Sequence, residues 1–549
     1  MKKIKSILAL SLGAVALTGC NDLNQAPMSD MILENQKEQI LEANPEMMSA
    51  AVNSFPTLAS SRFALFHGDP RVDTDFGVPS LFLITDHRGQ DMASALNDYQ
   101  WYTAALEMSD FGGRYFDNII FWRTWYNIIN NCNSICSLIP ADTEGGQLKY
   151  FRAQALGFRA WSYFNLAQMY QYTYAKNPEA PTVPVLTDEN LDQAAAEGMA
   201  RATGTEIYTQ ILKDCNDALT LLDAAEEDGF TRYSVSAGNL AKQYVNQTVI
   251  YGLMARAYLF MQDYPNADTY ATRAINAATA EGFSPYTIEE VSVPAFDDIN
   301  DHSWLWGFYT DPMGNTGLQC WGGQMTCWLT QQCYPSAGVY RCINKKLYET
   351  IPAGDVRKNW WYNNTEMPNT LPSAYSEYLS NWSAGGMSEP APYMTVKFGA
   401  HLDTPGHSDN SNDGDVPFMR IEELYLIQAE ARGHQSPGEG AQLLTSFISA
   451  YRNPTYVFQA TSFQTLVDEI WRQRRIELWG EGFSYYDIMR LQKGIDRRGG
   501  GFDPTLVFVI APDNPVLLYE IILDEAENNP LIGPTSNSAT VPEAVSDED

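Results

Sequence analysis

The chain has 549 residues, more than the roughly 250–300 that one hydrophobic core accommodates, so several packed units or a stacked array are expected. Hydrophobic residues make up 45% and aromatic residues 12%, which excludes a chain that is disordered throughout. Lys and Arg number 35 against 67 Asp and Glu, and a net charge of −32 excludes nucleic acid as a natural partner while leaving neutral ligands compatible.

Lys2, Lys3 and Lys5 precede an apolar run, Ile7 to Leu17. That run is shorter than the roughly 20 residues of a transmembrane helix and suits a secretory signal. It ends in "LTGC", Leu17 to Cys20, small residues before a cysteine. This pattern predicts a leader over 1–19 and lipidation of Cys20. Each buried methylene contributes about 0.8 kcal/mol, so several acyl chains anchor stably. No later apolar run is long enough to span a bilayer, which predicts a soluble body on a lipid tether.

Residues 21–30 read as polar tether, and Ile32 to Ser54 as a possible helix. "FHGDPRVDTDFGVPSLFLITDHRGQDM" (Phe66 to Met92) reads as loop with short extended pieces. Its Asp73, Asp75, Asp86 and Arg88 are candidate ligand contacts. Helical patterns run through Phe121 to Ile139, Gln147 to Gln171 and Gly204 to Leu222, where Thr205 is the expected N-cap. Gly157, Ala160 and Ala167 are small enough to let another helix approach. Tyr251, Met254, Ala255, Tyr258, Ala267, Ala271 and Ala274 then fall on the apolar positions of a 34-residue helix–turn–helix repeat, with "DYPNA" as its turn.

From Ser284 to about Pro417 the periodicity is lost. Trp304, Trp306, Trp321, Trp328, Trp360, Trp361 and Trp382 gather there, and so many rings argue against disorder. Flat rings stack on the C–H faces of sugars, with Asp, Asn or Arg bonding the hydroxyls, so the first six are candidate ligand contacts. The competing reading is that these rings fill an irregular core. Helices return over 418–431, 439–451 and 462–479, and the tail from Thr535 reads as acidic and disordered.

"IWRQRRIELWGEGFSYYDIMRL" (Ile470 to Leu491) mixes charges with aromatic rings. Trp471, Leu478 and Trp479 make one buried stripe, and Gly480 and Gly482 stop the helix. Ser484 and Asp487 suggest a capping box, and Glu477 and Glu481 can pair with arginines near in sequence. Every residue type there has a structural task, so packing outweighs acid–base catalysis. HExxH, GxSxG and GxxxxGK[ST] are absent, although remote carboxylate pairs escape such a search. "DNSNDGD" (Asp409 to Asp415) starts like a calcium loop, but its twelfth position is Arg420. His401 and His407 read as surface residues. Cys320, Cys327, Cys333 and Cys342 lie close in sequence, and both disulfides and buried free thiols remain open.

Several stretches resemble the SusD/RagB-type nutrient-binding outer-membrane lipoproteins of Bacteroidota. "RIEELYLIQAEA" (Arg420 to Ala431) and "RRIELWGEGFSYYDIMR" (Arg474 to Arg490) are similar to that family's C-terminal signature, through Arg474, Arg475, Glu477, Leu478, Glu481, Gly482, Asp487 and Arg490. Gln473 and Ser484 depart from it. "WYNIINNCN" (Trp125 to Asn133) and "FRAQALGFRAWSYFNLAQMY" (Phe151 to Tyr170) are similar to its N-terminal helix pair, and Ala511 to Ile532 loosely to its closing segment.

The resemblance implies a mainly α fold of tetratricopeptide-like units with a large irregular, loop-rich insertion. It divides the chain into leader 1–19, lipidated tether 20–37, helical region 38–284, Trp-rich ligand-binding region 285–416, helical region 417–534 and tail 535–549. It implies a non-catalytic lid on a SusC-like TonB-dependent barrel. That lid binds oligosaccharide without a cofactor or metal and faces the exterior of the outer membrane. Peptide binding in the manner of RagB, a lipid-anchored glycoside hydrolase and a ligand-free adaptor are the alternatives.

Overall fold

Alanine and glycine at helix contacts set how this chain packs. A computed structural model describes residues 45–60, 65, 72–94, 96, 100–292, 296–311, 318–325, 333–362, 391–399 and 412–548. Cys20, Cys327, Trp328, Trp382, His401 and His407 lie outside the described residues.

The helices that build the body are α1 (Pro45–Ser60), α2 (Val78–Arg88), α3 (Phe116–Leu138), α4 (Gly146–Met169), α5 (Gly204–Glu227), α6 (Gln247–Phe260), α7 (Tyr264–Ala280), α8 (Ile421–Gln435), α9 (Pro437–Tyr451), α10 (Phe463–Glu477) and α11 (Ser484–Arg490). Helices α3 to α9 stack in series, each against the next. In the predicted repeat, Ala255, Leu259, Ala267 and Ala271 interlock with Ile427 and Ala431 of α8. A Cβ on Gly157 would stand 2.9 Å from both Ile250 Cδ1 and Val245 Cγ2, so glycine admits α6 against α4. From Glu46 onward the described residues form one compact unit. The stack passes directly from α7 to α8, so the irregular segment is an insertion into it.

Four short strands button that insertion down: β1 (Met92–Ser94), β2 (Trp304–Phe308), β3 (Arg341–Ile343) and β4 (Val416–Arg420). Strand β2 pairs antiparallel with β4, Trp304 opposite Arg420 and Phe308 opposite Val416. The loops between them thus leave and return at one ladder. Strand β3 pairs antiparallel with β1, which ties the insertion to the segment after α2.

An ion-pair hub locks the C-terminal helices to the insertion. Glu477 accepts from Arg452 Nε at 2.8 Å, Arg420 Nη1 at 3.3 Å and Arg357 Nη1 at 3.4 Å. Glu481 accepts from Arg420 Nη2 at 2.8 Å and Lys397 Nζ at 2.6 Å. Burial alone would raise the Glu477 carboxyl, but the arginines, Arg452 foremost, hold it well below the usual range. Burial lowers Lys397 to about 8 against the pull of Glu481. Removing one partner of such a buried set costs about 3–5 kcal/mol, because the others are left charged and dry.

Several local expectations are corrected. Residues 78–88 form a helix rather than loop, because VPSLFLITDHR is buried on nearly every side and shows no amphipathic period. The N-cap of α5 is Thr203, not Thr205; it closes a capping box with Glu206, whose N–H donates to Thr203 Oγ1 at 3.2 Å. Ser484 does not cap α11; its hydroxyl bonds Asp91, and Asp487 pairs with Arg474 at 2.7 Å and Arg490 at 2.7 Å. Of the expected buried stripe, Leu478 and Trp479 are buried but Trp471 is only half-buried. Gly480 and Gly482 do turn the chain, each at φ 78°, and a Cβ on Gly482 would stand 2.6 Å from Phe82 Cδ1.

Two residues of the tail bond back to the body. Val545 N–H donates to Val507 at 2.9 Å, and Asn537 Nδ2 to Leu518 at 3.2 Å. Cys132, Cys136, Cys215 and Cys342 are free thiols. Among the described residues no helix is long and apolar enough to cross a membrane.

Candidate functional site

The structure gives most of the candidate tryptophans to the core. Trp304 and Trp306 are 0% exposed, Trp360 0%, Trp361 2% and Trp321 3%. Other rings cover their faces. Trp306 meets Trp161 at 4.5 Å and Phe418 at 5.3 Å, Trp361 meets Trp479 at 5.8 Å, and Trp321 meets Phe398 at 5.3 Å. Two indole N–H groups are bonded internally, Trp306 to Gln243 O at 3.2 Å and Trp360 to Val291 O at 3.0 Å, while those of Trp304, Trp321 and Trp361 are buried without a hydrogen bond. These five are packing residues, because a ring buried this completely has no face left for a ligand.

Asp75, Asp86 and Arg88 are internal as well. Asp75 accepts from Leu65 N–H at 2.9 Å and Asp86 from Gly482 N–H at 3.2 Å. Burial pushes Asp86 up to about 8, against the pull of that N–H. Arg88 pairs with Asp110, donates to Val516 O at 2.5 Å and lies 4.7 Å from the Tyr519 ring. It ties α2 to a segment more than 400 residues away.

Asp73 alone of the described candidates stands at an open cleft. The cleft holds about 260 Å³ and is lined by Val72, Asp73, Thr74, Trp101, Ala104, Tyr115, Phe116 and Asp117. Tyr115 is 47% exposed and Phe116 43%, and Trp101 is half-buried beside them. The two regions singled out in the sequence meet here. Gln319 Nε2 of the insertion donates to Asp73 Oδ1 at 3.1 Å, and Tyr334 of the insertion packs edge-on against Trp101 at 4.4 Å.

The floor is polar and fixed. Thr74 Oγ1 donates to Asp117 Oδ1 at 3.1 Å. Ser80 Oγ donates to Thr74 O at 2.5 Å and lies 2.9 Å from Tyr102 Oη. Burial, with Asp110 nearby, pushes Asp117 up to about 7, so it carries a proton for much of the time near neutrality. Exposed rings beside a carboxylate, over a rigid polar floor, can stack an apolar face and bond hydroxyls at its edge.

Sequence reasoning missed Trp101, Tyr115 and Phe116. The available signals were "QWY" (Gln100 to Tyr102) and "GGRYF" (Gly112 to Phe116), where aromatic residues precede a helix with nothing periodic to bury them. The calcium-like stretch is described only from Asn412 onward, and residues 409–411 lie outside the described residues. Asp415 accepts from Thr310 N–H at 2.7 Å and Ile299 N–H at 2.8 Å, and Arg420 belongs to the ion-pair hub. Among the described residues no group of three or more His, Cys, Asp or Glu could hold a metal ion.

Known proteins place this architecture. Residues 81–259 match the family described as "Starch-binding associating with outer membrane", and residues 336–514 match the SusD family. A SusD-like protein, P38, from Formosa agariphila is 20% identical over 420 residues, 69% of this chain and 73% of its own. The crystal structure of a SusD-like carbohydrate-binding protein from Bacteroides vulgatus superposes with a TM-score of 0.72 at 22% identity, over 90% of this chain and 99% of that one. Surface glycan-binding protein A from Bacteroides thetaiotaomicron, solved with laminarihexaose, gives a TM-score of 0.59 at 14% identity, over 90% and 99%. The helical stack, its inserted loops and the two family matches, which together span more than half of the sequence, lead to one conclusion: the chain belongs to the SusD/RagB family of outer-membrane proteins.

Proposed function

We propose that this chain is a lipoprotein of the outer membrane, acylated at Cys20 and facing the exterior. It binds a neutral oligosaccharide at the Asp73 cleft and passes it, chemically intact, to a SusC-like TonB-dependent barrel that it covers as a lid. The observation that carries this reading is the exposure of Tyr115 and Phe116 beside Asp73, where the insertion meets the N-terminal loop. The acidic surface and the family's association with the outer membrane support it. The stack gives the cleft a rigid frame, so capture needs little reordering of the protein.

The test is titration calorimetry of the purified chain against a panel of neutral hexasaccharides, followed by chromatography of the recovered sugar. Binding is expected with the sugar unchanged, and Trp101→Ala should weaken it at least tenfold. Full affinity in Trp101→Ala together with Tyr115→Ala would remove the cleft from this role. A lipid-anchored glycoside hydrolase is the second reading. Asp117, a buried acid held up near neutrality in a cleft shared with Asp73, is the observation that favours it. Shortened products that disappear in Asp117→Asn would establish hydrolysis. In cells, Cys20→Ser should release the protein from the membrane fraction.

A further inference from the structure

A second cleft, of about 550 Å³, opens on the helical stack where α4, α5, α6 and α7 meet the turn after α5. Its size lies within the range of about 300–1,000 Å³ typical of small-molecule sites. None of its lining residues belongs to the Asp73 cleft.

Three features of its wall converge. Tyr233 is 57% exposed, and Tyr251 is half-buried on the same wall, so two aromatic faces are on offer. The polar groups around them are already fixed. Glu281 accepts from Arg232 Nη2 at 3.0 Å and from Thr248 Oγ1 at 2.7 Å, while Gln247 Nε2 donates to Asp223 Oδ1 at 3.1 Å and Glu226 Oε2 at 3.0 Å. Most tellingly, two buried polar atoms of the lining have no hydrogen-bond partner, Tyr150 Oη and Arg232 Nε, in residues only 1% and 3% exposed. Both residues line this cleft. A protein rarely keeps buried donors unanswered, because each forfeits its hydration.

The chemistry of the missing partner follows from these groups. Three carboxylates, Asp223, Glu226 and Glu281, against one guanidinium repel an anion. A cation offers no lone pair to Arg232 Nε. A neutral polyol presents an acceptor oxygen to the donors, hydroxyl donors to the carboxylates and a C–H face to the tyrosines. We propose that this cleft is a second binding site for a neutral oligosaccharide. Tyr233 and Tyr251 are its stacking faces, and Tyr150 and Arg232 are donors to a sugar oxygen, directly or through one bridging water. The proposal rests on the reading of the protein as a glycan binder, but not on the Asp73 cleft. Two sites on one chain would hold a long polysaccharide more firmly than either alone.

The experiment is calorimetric titration of the full mature chain with laminarihexaose, maltohexaose, cellohexaose, xylohexaose and mannohexaose. A two-site isotherm is expected for at least one of them. Tyr233→Ala and Tyr150→Phe should each weaken one component at least tenfold and leave the other, which Trp101→Ala should weaken instead. Tyr150→Phe is the decisive variant. It deletes a hydroxyl that makes no internal bond, so its melting temperature should hold or rise, and lost binding could not be blamed on unfolding. A one-site isotherm untouched by Tyr233→Ala and Tyr150→Phe would overturn the proposal while leaving the Asp73 cleft standing. One site lost in those variants but kept in Trp101→Ala would uphold it and remove the Asp73 cleft. No saturable binding to any of the five sugars would overturn both.

Discussion

Two regions of this molecule are built from the same residue types and do opposite things. Around Glu477, arginines and carboxylates form ion pairs and, with the tryptophans beside them, are closed to water. Around Asp73, a carboxylate and three rings stand at an open edge. Composition is nearly the same in both, so composition does not separate packing from binding. What separates them is whether the charged groups are shut away from solvent and whether the rings are enclosed. Where both answers are yes, substitution should cost stability. Where they are no, it should cost affinity.

The largest expected effect is on the hub. Glu477→Ala leaves Arg452, Arg420 and Arg357 buried without their shared carboxylate and should destabilise the protein by about 3–5 kcal/mol in urea unfolding. A loss under about 1 kcal/mol would break the comparison at its stronger end. Trp306→Ala comes next. It removes a ring enclosed by Trp161, Phe158 and Phe418 and should also cost about 3–5 kcal/mol, while sugar affinity per folded molecule stays unchanged. A selective loss of binding there would return the tryptophan cluster to the site.

Tyr115→Ala with Phe116→Ala should do the reverse. Stability should stay within about 0.5 kcal/mol. Lost stacking of about 1 kcal/mol or so for each ring should weaken binding roughly tenfold or more by calorimetry. The last prediction concerns pH. Burial holds Asp86 up at about 8, so the folded chain keeps a proton that the unfolded chain releases near pH 4. The associated stability is complete below about pH 4 and is lost as pH rises through 8. Asp86→Asn mimics the protonated acid. Its melting temperature should come nearest the wild type at pH 4 and exceed it by a few degrees at pH 9; a difference that does not change between the two pH values would refute the burial argument.

The helical scaffold was legible because alanine and glycine recur at helix contacts, as in the pair from Tyr251 to Ala274. Helix α2 was not, because a helix buried on nearly every side carries no period. The role of the Arg474–Arg490 stretch as structural was legible, but its partners were only partly so. Arg474 finds Asp487 nearby, whereas Glu477 pairs with Arg357, Arg420 and Arg452, and Arg475 with Asp91. Such pairings depend on the path of the chain, which local spacing does not encode. The cleft was half legible. The Gly/Asp-rich loop supplied Asp73, but the rings that complete it stand singly, and a lone tyrosine outside any pattern looks like any other. The tryptophans misled because they cluster in an irregular segment that packs its rings inward through the β2–β4 ladder.

The turn that carries Tyr115 and Phe116 is stitched to residues 520–523. Glu520 N–H donates to Phe111 O at 2.9 Å, Leu523 N–H to Gly113 O at 2.9 Å, and Asn118 Nδ2 to Glu520 O at 2.9 Å. A Cβ on Gly113 would collide with the Ile521 carbonyl, so the two strands of chain touch backbone to backbone. During synthesis, the mouth of the cleft therefore cannot take shape until some four hundred further residues have emerged. The opening beside Asp73 is thus assembled from distant parts of one folded unit, and its shape depends on residues 520–523 being in place.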